Sequence, residues 1–400
     1  MQILNPAAVK ILVVTDAYPP HHVGGYELGC RDVAEKLSQR GHDVQVLTST
    51  FRTHQNFASE TNIERALQFN ISPTDPRHDK RAEMRLFQNA LLRFAPDVVY
   101  FWNQSGLCYW LPFTAHWLGF RCAFFLSDAG FASWRIGAWL GGAAQKNAGV
   151  RALVGNTFLV RGWPVMENCT CHFASEFLRQ VAVRHSITPA PRHSIVAHWG
   201  IEQAPFAGVT RERWPVRRLL FAGQLIQQKG VHTVITALGL LAQEKQFSEL
   251  TFSIAGGGYF PDYENELRAQ VARLGLGGRV NFLGKLPRAE LPRIFAEHDA
   301  LVFPSEWDEP FAITPLEAIA SGLAIIGTTT GGSGELFRNR ETAMTFTAGD
   351  AADCARAIRE LCVNRELFEN ISRNAQRVVQ ENHTLDAMVD KIERSLLEGD

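Results

Sequence analysis

At 400 residues, with 46% hydrophobic and 20% charged residues and a formal net charge of −1, the chain is long enough for two globular domains and has no basic block of the kind that binds nucleic acid. Its seven cysteines form no CxxC pair, so zinc and dithiol redox chemistry lack a ligand pattern and reduced thiols are expected. No charge-free apolar run is long enough for a transmembrane segment, and residues 1–10 lack a secretory apolar core, which together point to a soluble, cytoplasmic protein.

In chain order, Lys10–Thr15 (KILVVT), Asp43–Ser49 (DVQVLTS), 97–102 (DVVYFW), 121–127 (RCAFFLS), 169–174 and 194–198 are short apolar runs of the kind a strand shows when both its faces are covered. Segments 27–40, 80–94 and 174–184 between them carry apolar residues at helical spacing, so the first half predicts a parallel sheet wrapped by helices. Cys169 and Cys171 alternate along one such strand and point to core packing. A polar, proline-bearing stretch, 202–216, then breaks the rhythm and predicts a linker.

The alternation restarts with strands at Arg218–Ala222, 250–255, 280–283, Ala300–Phe303 and 323–327, with helices at Val231–Leu241, 263–274 and 314–320, and a tail from 352 to 397 that is helical by pattern. The expected fold is α/β, two Rossmann-like doubly wound parallel-sheet domains facing across a cleft, with ligands at the C-terminal ends of the strands. Expected bounds are 1–205 for the first domain, 206–216 for the linker and 217–380 for the second domain, with a helix at 381–400 returning toward the first. Trp102, Trp110, Trp117, Trp134, Trp139 and Trp163 crowd the second half of domain one; core packing and an acceptor pocket both fit them.

Chemistry concentrates in residues 305–322, SEWDEPFAITPLEAIASG, which follow the strand Ala300–Phe303. Backbone amides of Phe311, Ala312, Ile313 and Thr314 at a helix N-terminus suit a phosphate, with Pro310 shaping the loop before them. Glu309 in the loop can accept from sugar hydroxyls, and Glu317, eight residues on, can hold a ribose diol. Thr314-Pro-Leu-Glu317 also fits a capping box, which needs no ligand.

The segment resembles the E-x7-E signature of the large family of retaining glycosyltransferases of GT-B fold (glycosyltransferase family 4, "glycosyl transferases group 1"). That resemblance implies that Glu309 contacts the donor sugar and Glu317 the ribose. Other stretches resemble the family in the same order. Thr15-Asp-Ala-Tyr-Pro-Pro-His-His-Val-Gly-Gly25 is similar to its opening strand and loop, where Gly24 and Gly25 would let backbone approach the diphosphate or acceptor. Phe221-Ala-Gly-Gln-Leu-Ile-Gln-Gln-Lys-Gly230 is similar to the loop that brings an arginine and a lysine to the diphosphate; Lys229 fits, whereas Gln224 stands in the arginine's place without charge. Ile254-Ala-Gly-Gly-Gly258, Phe282-Leu-Gly284 with Leu286 near the base, and Thr330-Gly-Gly-Ser-Gly-Glu335 match later landmarks; Ser333 and Glu335 also fit a helix cap and a first-turn carboxylate. Ser127-Asp128 occupies the position where many members carry a histidine, and Asp128 could orient a sugar or acceptor hydroxyl or cap its own loop.

The function implied is transfer of a hexosyl group from a nucleotide-diphosphate sugar, UDP-sugar favoured and GDP-mannose next, to a hydroxyl acceptor that is a glycan, a lipid-linked group or a small molecule. Absence of a DxD pair implies a metal-independent enzyme with no cofactor; peripheral membrane contact stays open. A sugar-nucleotide epimerase of the same fold and a non-catalytic nucleotide-sugar-binding protein disabled at Gln224 are the rival readings.

Overall fold

A computed structural model describes residues 8–21, 24–51, 60–69, 79–102, 104, 106–108, 110–129, 169–184, 193–207, 212–258 and 262–398. The chain divides into two compact units, residues 1–198 with 385–400, and residues 199–384.

The first unit runs β1 (Lys10–Thr15), α1 (Gly25–Gln39), β2 (Asp43–Ser49), β3 (Ile63–Leu67), α2 (Lys80–Phe94), β4 (Val98–Phe101), α3 (Trp110–Trp117), β5 (Cys122–Leu126), β6 (Thr170–Phe173), α4 (Glu176–Arg184) and β7 (Ser194–Val196). Its sheet has the order β3-β2-β1-β4-β5-β6-β7, with every pairing parallel. Central strands are buried on both faces, Ile11 to Val14 being at most 2% exposed, which is why they read as unbroken apolar runs. Cys169 and Cys171 are buried beside them. Helix α2 is started by Asp79, whose carboxylate accepts from the amides of Arg81 and Ala82 at 3.1 and 3.0 Å.

The second unit runs β8 (Arg218–Ala222), α5 (Val231–Leu241), β9 (Thr251–Ala255), α6 (Asp262–Arg273), β10 (Val280–Gly284), α7 (Leu291–Glu297), β11 (Ala300–Phe303), α8 (Ile313–Ala320), β12 (Ala324–Gly327), β13 (Met344–Thr345), α9 (Ala351–Val363) and α10 (Arg365–Asn382). Its parallel sheet has the order β10-β9-β8-β11-β12-β13, so both sheets reverse direction beside their first strand, where doubly wound folds place ligands. Leu219, Phe221, Val234, Ile254, Val302 and Ile326 lie in its core.

Helix α11 (Leu385–Leu397) belongs to the first unit. Its apolar face, Met388, Val389, Ile392 and Leu396, is buried, and α1 packs on it. Polar groups fix the register. Arg40, at the end of α1, pairs Asp386, Asp390 and Glu393 at 2.9, 2.7 and 2.5 Å. Arg121 donates to the carbonyls of Leu396 and Ser395 at 2.8 and 2.9 Å, satisfying the end of α11. Beneath it a buried chain runs from Tyr100 through His172 to Ser395, with contacts of 2.9 and 2.6 Å.

Within the stretch expected to be a linker, the described residues are anchored: Phe206, Arg213 and Val216 are buried, and Arg213 donates to the carbonyls of Phe295 (3.0 Å), His298 and Ser321, which close α7 and α8. A guanidinium satisfies helix-end carbonyls well, so polar composition there serves packing. The units divide at 198/199, because Trp199 and Ile201 pair with His383 within the second unit (Ile201 N to His383 O, 3.0 Å). The helical tail is three helices, broken at Asn364, which caps α10, and at His383-Thr384.

Candidate active site

In the second unit the site is built from the loops that follow β8 and β11, neighbours at the point where strand order reverses. Gly230 ends the first loop and starts α5 at φ +66°, and a Cβ there would lie 2.0 Å from the Pro304 carbonyl oxygen, so only glycine lets the two loops approach this closely. Further contacts lace them: Glu306 N donates to Gln228 O at 2.8 Å, and Glu306 Oε1 accepts from Thr233 Oγ1 at 2.7 Å, with His232 Nε2 3.3 Å away.

These contacts bring Lys229 and Glu309 together, and their side chains form an ion pair. Glu309 is only 7% exposed, not the solvated loop carboxylate its position suggests. Trp307 Nε1 at 2.9 Å and Ser305 Oγ at 3.4 Å donate to the same oxygen, Oε2, that Lys229 meets. Behind it the 330–335 stretch acts as a clamp: Gly332 N donates to Glu309 O at 2.6 Å, and Gly331, at φ +58°, has room for no Cβ beside that carbonyl. Ser333 and Glu335 fall inside a 3-10 turn whose first position is capped by no side chain, so Ser333 is not the expected cap.

Helix α8 begins at Ile313 after Ala312, with no side-chain cap. Thr314 is therefore its second residue, Pro315 its third and Glu317 its fifth, and the capping-box reading of Glu317 is excluded. Ile313 and Thr314 leave their amides at the helix start, while Pro310 and Phe311 are buried, Phe311 stacking on His383 at 5.5 Å. Glu317, 2% exposed, lies 2.6 Å from Arg288 Nη2, an ion pair by distance rather than an aligned hydrogen bond. Arg288 follows Leu286, which is half-buried in the loop after β10; Gln224 is half-buried in the turn after β8.

Gly24, Gly25 and Asp128 lie in the first unit. Gly24 N donates to Glu27 Oε2 at 3.0 Å at the start of α1, and Gly25 is the first helical residue. Asp128 follows β5, half-buried. In the same unit Asp16, 5% exposed just after β1, accepts from Gly106 N at 3.2 Å through Oδ2. Burial first, then the charge of Glu27 and more weakly of Asp128, push its carboxyl up to about 7. Asp16, Trp307 and Arg288 escaped sequence reasoning as site residues, although each lies inside or beside a quoted motif. Trp102 is core, stacked on Phe125 at 4.3 Å; Trp117 is 64% exposed, and Trp134, Trp139 and Trp163 lie outside the described residues. Among the described residues no helix is long and apolar enough to cross a membrane.

Comparison with known proteins adds the following. Residues 211–378 match the family model described as Glycosyl transferases group 1. A glycogen synthase of Mycobacterium tuberculosis is 27% identical over 391 residues, 92% of this chain and 90% of that protein. An uncharacterized glycosyltransferase of Methanocaldococcus jannaschii is 24% identical over 392 residues, 94% of this chain and 95% of that protein. Among solved structures, a glycosyltransferase of Rickettsia africae superposes with TM-score 0.75 at 16% identity, covering 98% of this chain and 100% of that one. Anabaena HepE, solved with UDP and glucose, superposes with TM-score 0.71 at 18% identity, covering 97% and 99%. The fold is GT-B.

Proposed function

We propose that this chain, whose residues 211–378 match the group 1 glycosyltransferases, transfers a hexosyl group from a nucleotide-diphosphate sugar to a hydroxyl acceptor with retention of configuration. The observation that carries the reading is the pairing of Lys229 with the buried Glu309 where the second sheet reverses direction, with Glu317 on the helix that follows. A cation beside a buried, multiply bonded carboxylate suits a ligand that is anionic at one end and hydroxylated at the other.

The roles follow from the chemistry of each group. The Lys229 ammonium and the Ile313 and Thr314 amides take the negative charge that grows on the diphosphate as its bond to the anomeric carbon breaks. Gln224 adds a hydrogen bond there but no charge. Glu309 accepts from hydroxyls of the transferred sugar and Glu317 from the ribose, with Arg288 offsetting its buried charge. An acceptor hydroxyl oxygen bonds the anomeric carbon on the face the diphosphate leaves; the breaking bond's electron pair goes to the diphosphate, and so does the hydroxyl proton. No step needs a metal. A UDP-sugar is the favoured donor, in line with the UDP held by Anabaena HepE.

The test is thermal stabilisation by nucleoside diphosphates and nucleotide sugars, because a ligand that binds only the folded state raises its apparent stability. One base should stand out, its shift should vanish in Glu317→Ala, and EDTA should change neither binding nor turnover. If no nucleotide up to roughly millimolar concentration shifts the transition, the reading is wrong.

A further inference from the structure

Three donors address one oxygen of Glu309. Lys229 Nζ, Trp307 Nε1 (2.9 Å) and Ser305 Oγ (3.4 Å) all meet Oε2. An ionised carboxylate can accept at both oxygens, with about four lone-pair sites between them. Their crowding onto Oε2 leaves Oε1 outside this set of contacts. The three donors also differ in kind, since only Lys229 brings charge.

If the Proposed function holds, Lys229 has a second partner in the diphosphate, and it cannot serve both anions as fully as it serves one. Withdrawing the cation from a carboxylate that is 7% exposed is unfavourable unless other donors stay in place. Ser305 and Trp307 remain, and the serine contact is the longer of the two. Trp307 also holds the cation, because Lys229 Nζ lies 5.7 Å from its ring centroid. The indole is 37% exposed, so its ring is partly covered while its N–H is turned to Glu309.

We propose that Trp307 is a positioning residue of the donor-sugar site: its indole N–H fixes Oε2 of Glu309, so that Oε1 is presented to a hydroxyl of the transferred sugar, and keeps the carboxylate in place when Lys229 turns to the diphosphate. The inference rests on the transferase reading and adds to it a residue that separates nucleotide sugar from bare nucleotide. Trp307 touches Glu309 and Lys229, and acts through them.

The experiment compares the full-length protein with Trp307→Phe and Trp307→His, titrating UDP and GDP alone against UDP-glucose and GDP-mannose, and measuring kcat/KM for turnover of the sugar nucleotide that binds. Phenylalanine keeps an aromatic ring and loses the N–H; histidine keeps a ring N–H. For Trp307→Phe the expectation is a nucleoside-diphosphate affinity within about twofold of the parent, with sugar-nucleotide kcat/KM lower by roughly ten- to a hundredfold, the range for loss of a hydrogen bond to a charged group. Trp307→His should recover part of that loss. Equal effects of Trp307→Phe on bare and sugar-bearing nucleotides, or no effect on either, overturn the inference while leaving the transferase reading standing. A parent protein that binds no nucleoside diphosphate and no nucleotide sugar of any base overturns both.

Discussion

Replacing Gly230 by alanine should damage the site through the backbone, and Gly275 supplies the control. Both glycines are left-handed, at φ +66° and +67°, so alanine at either carries a penalty of about 1–2 kcal/mol for that conformation. Around Gly275, beyond the end of α6, a Cβ meets nothing within 4 Å. At Gly230 the same Cβ would stand 2.0 Å from the Pro304 carbonyl oxygen, where contacts below 3.0 Å force something to move, so one loop must retreat by about an ångström. Overpacking of this kind adds roughly 1–3 kcal/mol, giving about 2–5 kcal/mol for Gly230→Ala against about 1–2 kcal/mol for Gly275→Ala. The loops that separate are those carrying Lys229 and Glu309, so nucleotide affinity should fall in Gly230→Ala and stay near the parent in Gly275→Ala. Urea denaturation followed by tryptophan fluorescence, with nucleotide titration of each variant, measures both quantities. Equal destabilisation by the two substitutions would refute the argument, because the close approach would then carry no energetic weight.

Two further predictions concern the first unit. Between about pH 4, where an unfolded aspartate titrates, and about pH 7, native Asp16 holds more proton than the unfolded chain, so its contribution to stability declines as pH rises through that window and is lowest above it. Asp16→Asn should therefore gain stability relative to the parent between pH 5 and pH 8, by up to about 3 kcal/mol, and parallel urea midpoints across that range would refute this. The comparison cancels the opposite trend from His172, whose burial lowers its pKa to about 3 and makes acid destabilising. Ending the chain at Thr384 removes the buried Leu385, Met388, Val389, Ile392 and Leu396, each worth about 1.5–3 kcal/mol when fully buried, a sum comparable with the whole stability of a domain. Limited proteolysis should then spare residues 199–384 and digest the first unit; uniform digestion would show that α11 is dispensable.

The two sheets were legible because strands such as KILVVT and ALVF are covered on both faces and so carry no polar alternation. β3 was missed for the opposite reason: it is an edge strand whose residues, apart from Leu67, are half-exposed, and IERAL has no apolar run. Composition misled at Arg213, where a charged residue in a polar stretch serves three carbonyls from elements more than 80 positions away. The pairing of Lys229 with Glu309 spans 80 positions, and only the resemblance put both in one site. Trp307's N–H contact with Glu309, two positions on, depends on the conformation of a single loop, and Arg288's approach to Glu317 depends on how loops from different strands pack, so neither follows from spacing. Glu317 looked like a cap because Thr-Pro-x-Glu fits that pattern; α8 starts one residue before the threonine, and the pattern is coincidental.

Because α11 completes the first unit while residues 199–384 form the second, the second unit is an insertion within the first. On the ribosome this reverses the usual order. The strands β1 to β7 emerge early, but the helix that covers Arg40, Arg121 and His172 is made only after the whole second unit, a delay of about 10–40 s at ~5–20 residues per second. Throughout that interval the nascent first unit must keep an uncovered apolar surface soluble, while the inserted unit already has every strand of its own sheet.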